Sequence, residues 1–101
     1  MSLDIHIDPG DGTVGEYVSI GADAHDRLMS IASAHPLIQR LHDFYGDAEY
    51  AAAELDALER ELVTLEASAV VETDLLHTLA ELRRVLVSAR AQGHGLLALA
   101  D

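Results

Sequence analysis

Two leucine-rich stretches with helical spacing constrain the fold of this chain more than any other feature of its sequence. Apolar residues in the first stretch recur in steps of four, three, four and three, at Ala51, Leu55, Leu58, Leu62 and Leu65. The second stretch has the same rhythm, at Leu75, Leu79, Leu82, Leu86 and Ala89. This spacing places the apolar side chains on one face of each helix. With a short connection at 67–72, it predicts an antiparallel helical hairpin over 47–93, with Asp47 as the first N-cap.

The N-terminal segment 1–21 has a period of two instead. Leu3, Ile5 and Ile7 alternate with polar residues, and Val18 and Ile20 repeat the alternation after a cluster of turn-forming residues at 8–12. Such alternation predicts extended strands with one buried face. Proline and glycine in the cluster favour a turn between the strands. We therefore expect a β-hairpin at the start of the chain.

Residues 23–46 are expected to form two short helices. Asp23 is the predicted N-cap of the first, and Asp26 lies in its first turn. This helix should end near Ala34, because the following proline disfavours a helical residue before it. Pro36 can open the second helix, and Gly46 has the character of the glycine that ends one.

The end of the chain completes the predicted fold. Gly93 and Gly95 are expected to end the last helix. The apolar segment 95–101 is expected to join the hairpin as a third strand, since a two-stranded hairpin alone is marginally stable; a loose helical end is the alternative. The sequence thus predicts one domain over 1–101, a helix-rich α+β fold with about four helices.

The charge balance limits the classes of partner. Eighteen Asp and Glu oppose six Arg and no Lys, which gives a formal net charge of −12 on 101 residues. Eleven of the acids fall between Asp43 and Glu81, where Arg60 is the only base. Such a surface repels nucleic acid and anionic membranes and attracts basic partners. We therefore expect no nucleic-acid or membrane partner.

No pattern of catalytic or metal-binding residues stands out. The chain has no cysteine, which excludes disulfides and cysteine zinc sites. The serines lie outside any nucleophile-elbow motif, and the glycines near the start do not have phosphate-binding spacing. His77 and Glu81 are one helical turn apart, but two donors do not make a zinc site. We expect no enzyme activity, cofactor or metal. The lack of cysteine, of a signal peptide and of a long apolar run favours a cytoplasmic location.

The first leucine-rich helix carries its acids off the leucine face, where they are candidates for partner recognition. A solvated face that aids solubility is the alternative. Three aromatic residues near this helix are the candidate anchors of a tight complex. The predicted partner-binding residues are Asp43, Phe44, Tyr45, Asp47, Glu49, Tyr50, Glu54, Asp56, Glu59, Glu61 and Glu66. Loss of the Tyr45 or Tyr50 ring is expected to weaken binding more than loss of the Glu66 carboxylate.

The chain resembles a class of small acidic bacterial proteins. The resemblance lies in its short length, its lack of cysteine, its acidic helical segment, and the run Leu41–Asp47 followed by Glu54 and Glu61. The proteins of this class are the immunity proteins of polymorphic-toxin, contact-dependent and type VI secretion systems. The resemblance implies an inhibitor or antitoxin that occludes a toxin by stoichiometric binding, with its acids facing a basic active-site cleft.

Two other functions are compatible with the sequence. The leucine-rich helices could pair between two copies, which would make the protein a homodimeric adaptor or scaffold. The acidic surface could instead imitate a nucleic acid and block DNA-binding proteins. The first alternative predicts a concentration-dependent dimer, and the second predicts promiscuous binding to basic proteins that is lost in salt.

Overall fold

The computed structural model describes residues 2–8, 17–43, 46–67 and 72–100, and its α+β fold confirms the predicted class. β1 (Ser2–Asp8) and β2 (Tyr17–Gly21) form the expected antiparallel hairpin. β4 (Gly95–Ala100) pairs with the other side of β1, as expected for the tail. β3 (Ala48–Tyr50) pairs with β4, so the sheet order is β2–β1–β4–β3. Most of the predicted turn at 8–12 lies outside the described residues.

Four α-helices accompany the sheet over the described ranges. They are α1 (Ala22–Ile31), α2 (Pro36–Gln39), α3 (Leu55–Glu66) and α4 (Thr73–Gln92), and a 3₁₀ turn at Ala52–Glu54 leads into α3. The leucine-rich helices α3 and α4 pack against each other, and α4 also contacts β1, β2 and β4. Residues 68–71, between these two helices, lie outside the description. No helix in the described ranges is long and apolar enough to span a membrane.

The core lies between the helices and one face of the sheet. Leu3 and Ile5 of β1 and Ile20 of β2 are fully buried there, as the alternating pattern predicted. The leucines of both helical stretches are at most 3% exposed and fill the same core, at Leu55, Leu58, Leu62, Leu65, Leu75, Leu79, Leu82 and Leu86. Ala51 is exposed, so the apolar face of α3 begins one step later than its spacing predicted.

The first two helices differ from their predicted bounds. The N-cap of α1 is Gly21, so Asp23 lies in the first turn and Asp26 lies beyond it. This helix ends at Ile31 rather than near Ala34. Proline does begin α2, but that helix is only four residues long and does not reach Gly46. After Gln39 the chain continues in tighter turns, in which the backbone N–H groups of Arg40, Leu41 and His42 each donate to the carbonyl three residues earlier, and apolar spacing does not reveal this change.

The segment before α3 is the main correction. Asp47 is not a helix N-cap, because β3 and the 3₁₀ turn separate it from α3. Its carboxylate instead accepts a hydrogen bond of 3.2 Å from the backbone N–H of Ala100, beside the strand pair β3–β4. The sheet therefore has a fourth strand that the sequence did not indicate. At the end of α4, Gly93 has a φ of 74°, the left-handed conformation expected of a terminating glycine.

Candidate functional site

Most acids of α3 are bound within the molecule. Arg90 of α4 reaches Asp56 at 2.9 Å and Glu59 at 2.6 Å. Arg83 of α4 reaches Glu66 at 2.8 Å. The sequence around these acids contains few basic residues, and the arginines that bind them lie on the neighbouring helix instead. The acidic face of α3 is largely an intramolecular ion-pair surface.

Glu54, in the turn before α3, is the most strongly held acid of the predicted set. Arg40 donates to its two carboxylate oxygens at 2.9 and 2.7 Å, and the backbone N–H of Ala51 donates to it at 2.9 Å. These bonds, the guanidinium bond first, lower the pKa of Glu54 to about 2. Arg40 also donates to the carbonyl of Glu49, so this arginine ties α2, β3 and the 3₁₀ turn together.

Glu61 has a capping role. Its two carboxylate oxygens accept hydrogen bonds from the backbone N–H groups of Leu37 and Ile38, at 3.2 and 3.0 Å. These N–H groups belong to the first turn of α2, where they have no partner inside the helix. Glu61 is thus a helix cap supplied by another helix, and we do not retain it as a partner-binding residue.

The aromatic candidates do not form an exposed cluster over the described residues. Tyr50 is only 2% exposed, its hydroxyl donates to the carbonyl of Leu37, and the guanidinium of Arg40 lies 4.9 Å from its ring centroid. Burial raises the pKa of Tyr50. Because its ring belongs to the core, it is not accessible as an anchor. Phe44 and Tyr45 lie outside the described residues.

Four predicted acids are exposed: Asp43, Asp47, Glu49, and Asp56 despite its ion pair with Arg90. Glu49 is of most interest, because it lies on the sheet face opposite the helices, in register with Leu97 of β4. This face, which we call the open face, is not covered by any described helix. Its strand residues are Asp4, His6, Asp8, Tyr17, Ser19, Glu49, Leu97 and Leu99.

Cross-strand pairs order the open face into two rows. In one row, the His6 ring stacks on the Tyr17 ring with centroids 5.2 Å apart, and Leu97 lies on the other side of His6. In the other row, Asp4 lies between Ser19 and Leu99. Each row therefore combines an acid with apolar or aromatic side chains, since Glu49 lies beside Leu97 and Asp4 beside Leu99.

The charge of the open face is negative. None of its strands contains an Arg or Lys residue. Asp4 accepts hydrogen bonds from the hydroxyls of Ser19 at 2.6 Å and Ser2 at 2.8 Å, and the Ser19 bond is the main reason that the pKa of Asp4 is lowered. The carboxylate is therefore held in place and ionised. Asp8 and Glu49 add further negative charge.

The sequence pattern predicted part of the open face. Alternation already placed Asp4, His6 and Asp8 on the polar side of the first strand. The matching residues of β4 were hidden, because the run Leu96–Ala100 is apolar throughout and shows no alternation. Pairing with β1 is what assigns Leu97 and Leu99 to the open face.

The described residues do not include a group of three His, Asp or Glu side chains that could hold a metal ion. His77 and Glu81 both line a groove beside β2, but no third donor joins them there. A comparison of the chain with protein-family models finds no matching family. Comparisons with curated proteins and with solved structures find no significant match either.

Proposed function

We propose that this protein is an acidic binding protein that neutralises a basic protein partner by stoichiometric binding, with the open face as its binding surface. An immunity protein or antitoxin acting in the bacterial cytoplasm is the class that fits this role. The proposal moves the binding surface from α3, where the sequence suggested it, to the sheet.

The distribution of ion pairs supports a basic partner. Five of the six arginines are bound to acids of the same molecule, at Arg27, Arg40, Arg83, Arg84 and Arg90. The net charge of −12 is therefore carried by the other acids, and Asp4, Asp8 and Glu49 place part of it on the open face. Complementary charge accelerates encounter, to about 10⁸ M⁻¹s⁻¹ or more at low salt.

The observation that carries the proposal is the exposed apolar content of the same face. Tyr17 is 47% exposed and Leu99 is 38% exposed, and Leu97 lies in the same row as Tyr17. Interfaces are typically built from such apolar and aromatic centres surrounded by polar residues. Of the surfaces formed by the described residues, the open face combines these anchors with unneutralised acids.

The same features disfavour the homodimer alternative. The leucine faces of α3 and α4 fill the core of one molecule, so they are not available to a second copy. A symmetric contact through the open face would bring its acids toward those of the second copy. Like charges at close range oppose such a contact. A basic partner meets no such penalty.

Co-expression with the product of the adjacent gene tests the proposal. An immunity protein should co-purify with that product in a one-to-one complex and should rescue cells from its toxicity. The complex should survive added salt, because apolar anchors contribute to it. A complex with many basic proteins that dissociates in moderate salt would favour the nucleic-acid mimic instead. No complex and no rescue, together with a dimer in light scattering, would favour the scaffold.

A further inference from the structure

A groove runs between the edge strand β2 and helix α4. It is lined by Tyr17, Val18 and Ser19 on one side and by His77, Thr78 and Glu81 on the other. Its volume is about 370 Å³, and it is open to solvent along its length. The groove therefore combines a strand edge with a helix wall, which is the arrangement that extended peptides use when they add to a sheet.

The two edges of the sheet differ in their availability. At the β3 edge, the strand has three residues and the carbonyl of Glu49 accepts a bond from Arg40. At the other edge, β2 has five residues and is paired only with β1 over the described part of the chain. Alternate backbone N–H and C=O groups of an edge strand point away from its neighbour and can bind another strand. β2 is therefore the open edge.

The net charge of −12 favours a basic occupant of the groove. Among the described residues that line it, Glu81 is the one acid and none is Arg or Lys. Arg84 donates from Nε and from one terminal nitrogen to the same oxygen of Glu81, Oε2, at 3.1 and 3.0 Å. Among the described residues no donor is bound to Oε1 of Glu81. This oxygen can accept a hydrogen bond from a ligand cation.

We propose that the groove binds an extended, basic segment of a partner protein, which pairs with β2 as a fifth strand. Backbone hydrogen bonds to β2 supply the alignment, and a Lys or Arg of the segment meets Glu81. The groove shares Tyr17 and Ser19 with the open face, but Leu99 of that face lies on β4, two strands away from β2, and the helix wall of the groove is not part of the open face. The proposal therefore stands without the open face being the main binding surface.

An NMR titration with a defined probe tests the proposal. The probe is an acetylated and amidated heptapeptide in which valine alternates with lysine, added at millimolar concentration. Amide shifts should change in Tyr17–Gly21 and around Thr78, and amides of β2 should gain protection from hydrogen exchange. Shifts spread evenly over the acidic surface, or no shifts at all, would overturn the proposal.

Two controls separate strand pairing from simple charge attraction. A probe of the same sequence with alternate backbone nitrogens methylated keeps its charge but loses the hydrogen bonds of one edge, and it should bind at least about tenfold more weakly. If the two probes bind the wild-type protein equally well, the proposal is overturned. This comparison needs no variant of the protein. Replacing the lysines by glutamates should abolish binding.

Variants of α4 locate the site. Thr78→Trp fills the groove and should weaken binding of the probe by at least about tenfold. Val87→Trp is the matched control, because Val87 is 43% exposed on the same helix and does not line the groove. Equal effects of the two tryptophans would contradict the assignment. The assignment would also be contradicted if both variants bound the probe as tightly as the wild type does.

Discussion

The carboxylate of Glu61 lies 3.0 Å from the backbone nitrogen of Ile38, so a side chain of α3 caps the start of α2. The pairing explains how a helix of four residues, too short to be stable alone, is held in place. It also shows that Glu61, which the sequence predicted to bind a partner, stabilises the fold instead. The helix gains a partner for N–H groups that its own backbone cannot satisfy.

Glu61→Ala should lower the free energy of unfolding by about 1–2 kcal/mol, because it leaves these N–H groups without their acceptor. Glu49→Ala is the matched control, since Glu49 is an exposed acid on β3, and its effect should stay within about 0.5 kcal/mol. Urea denaturation measures both changes. Equal effects would mean that Glu61 does not act as the cap.

The Arg40–Glu54 pair makes stability depend on pH in acid. The pKa of Glu54 falls from 4.5 to about 2 in the folded protein. Its contribution to stability is therefore complete above pH 4.5 and is lost as the pH falls toward 2. A carbon-13 titration of the Glu54 carboxyl should show the low pKa in the wild type. In Arg40→Met the pKa should rise toward 4.5, and an unchanged value would contradict the role of the guanidinium.

Gly95 permits the close approach of β4 to the chain after β3. A Cβ atom at this position would collide with the carbonyl oxygen of Tyr50, which is backbone and cannot move aside cheaply. Gly95→Ala should therefore cost about 1–3 kcal/mol of stability, as overpacking usually does. Gly21→Ala is the control, because nothing lies within 4 Å of the added Cβ, and its cost should be under about 1 kcal/mol. Thermal melts that rank the two in reverse would contradict this reading of the β4 contact.

Tyr50 should affect stability rather than binding. Tyr50→Phe removes the hydroxyl that donates to the Leu37 carbonyl and should cost about 1 kcal/mol of unfolding free energy. Its partner affinity should equal that of the wild type, since the ring is buried. Calorimetry on the complex checks the second statement. A clear loss of affinity in a variant that stays folded would return Tyr50 to the set of partner-binding residues.

The sequence predicted the elements whose pattern is local. Alternation identified β1 and β2, and leucine spacing identified α3 and α4, because both patterns reflect one face of an element against a single core. β3 escaped prediction because Ala48, Glu49 and Tyr50 are too few to show a period. Its strand conformation follows from pairing with β4, almost fifty residues later in the chain.

The site was harder to predict for the same reason. The acids of α3 looked uncompensated because Asp56 and its partner Arg90 are 34 residues apart in sequence. Burial of Tyr50 depends on the path of α2 over its hydroxyl, which no local pattern encodes. The sequence gives the net charge of the chain. It does not reveal which acids are bound by arginines and which surface therefore stays negative.

The most direct test of the central claim is a pair of charge-matched substitutions measured against the partner isolated by co-expression. Leu99→Lys places a positive charge on the open face, and Val63→Lys places the same charge on α3, at a side chain that is 45% exposed. Titration calorimetry should show at least about tenfold weaker binding for Leu99→Lys and near wild-type binding for Val63→Lys. Equal losses, or a larger loss for Val63→Lys, would contradict binding through the open face and would return the interface to the acidic helix.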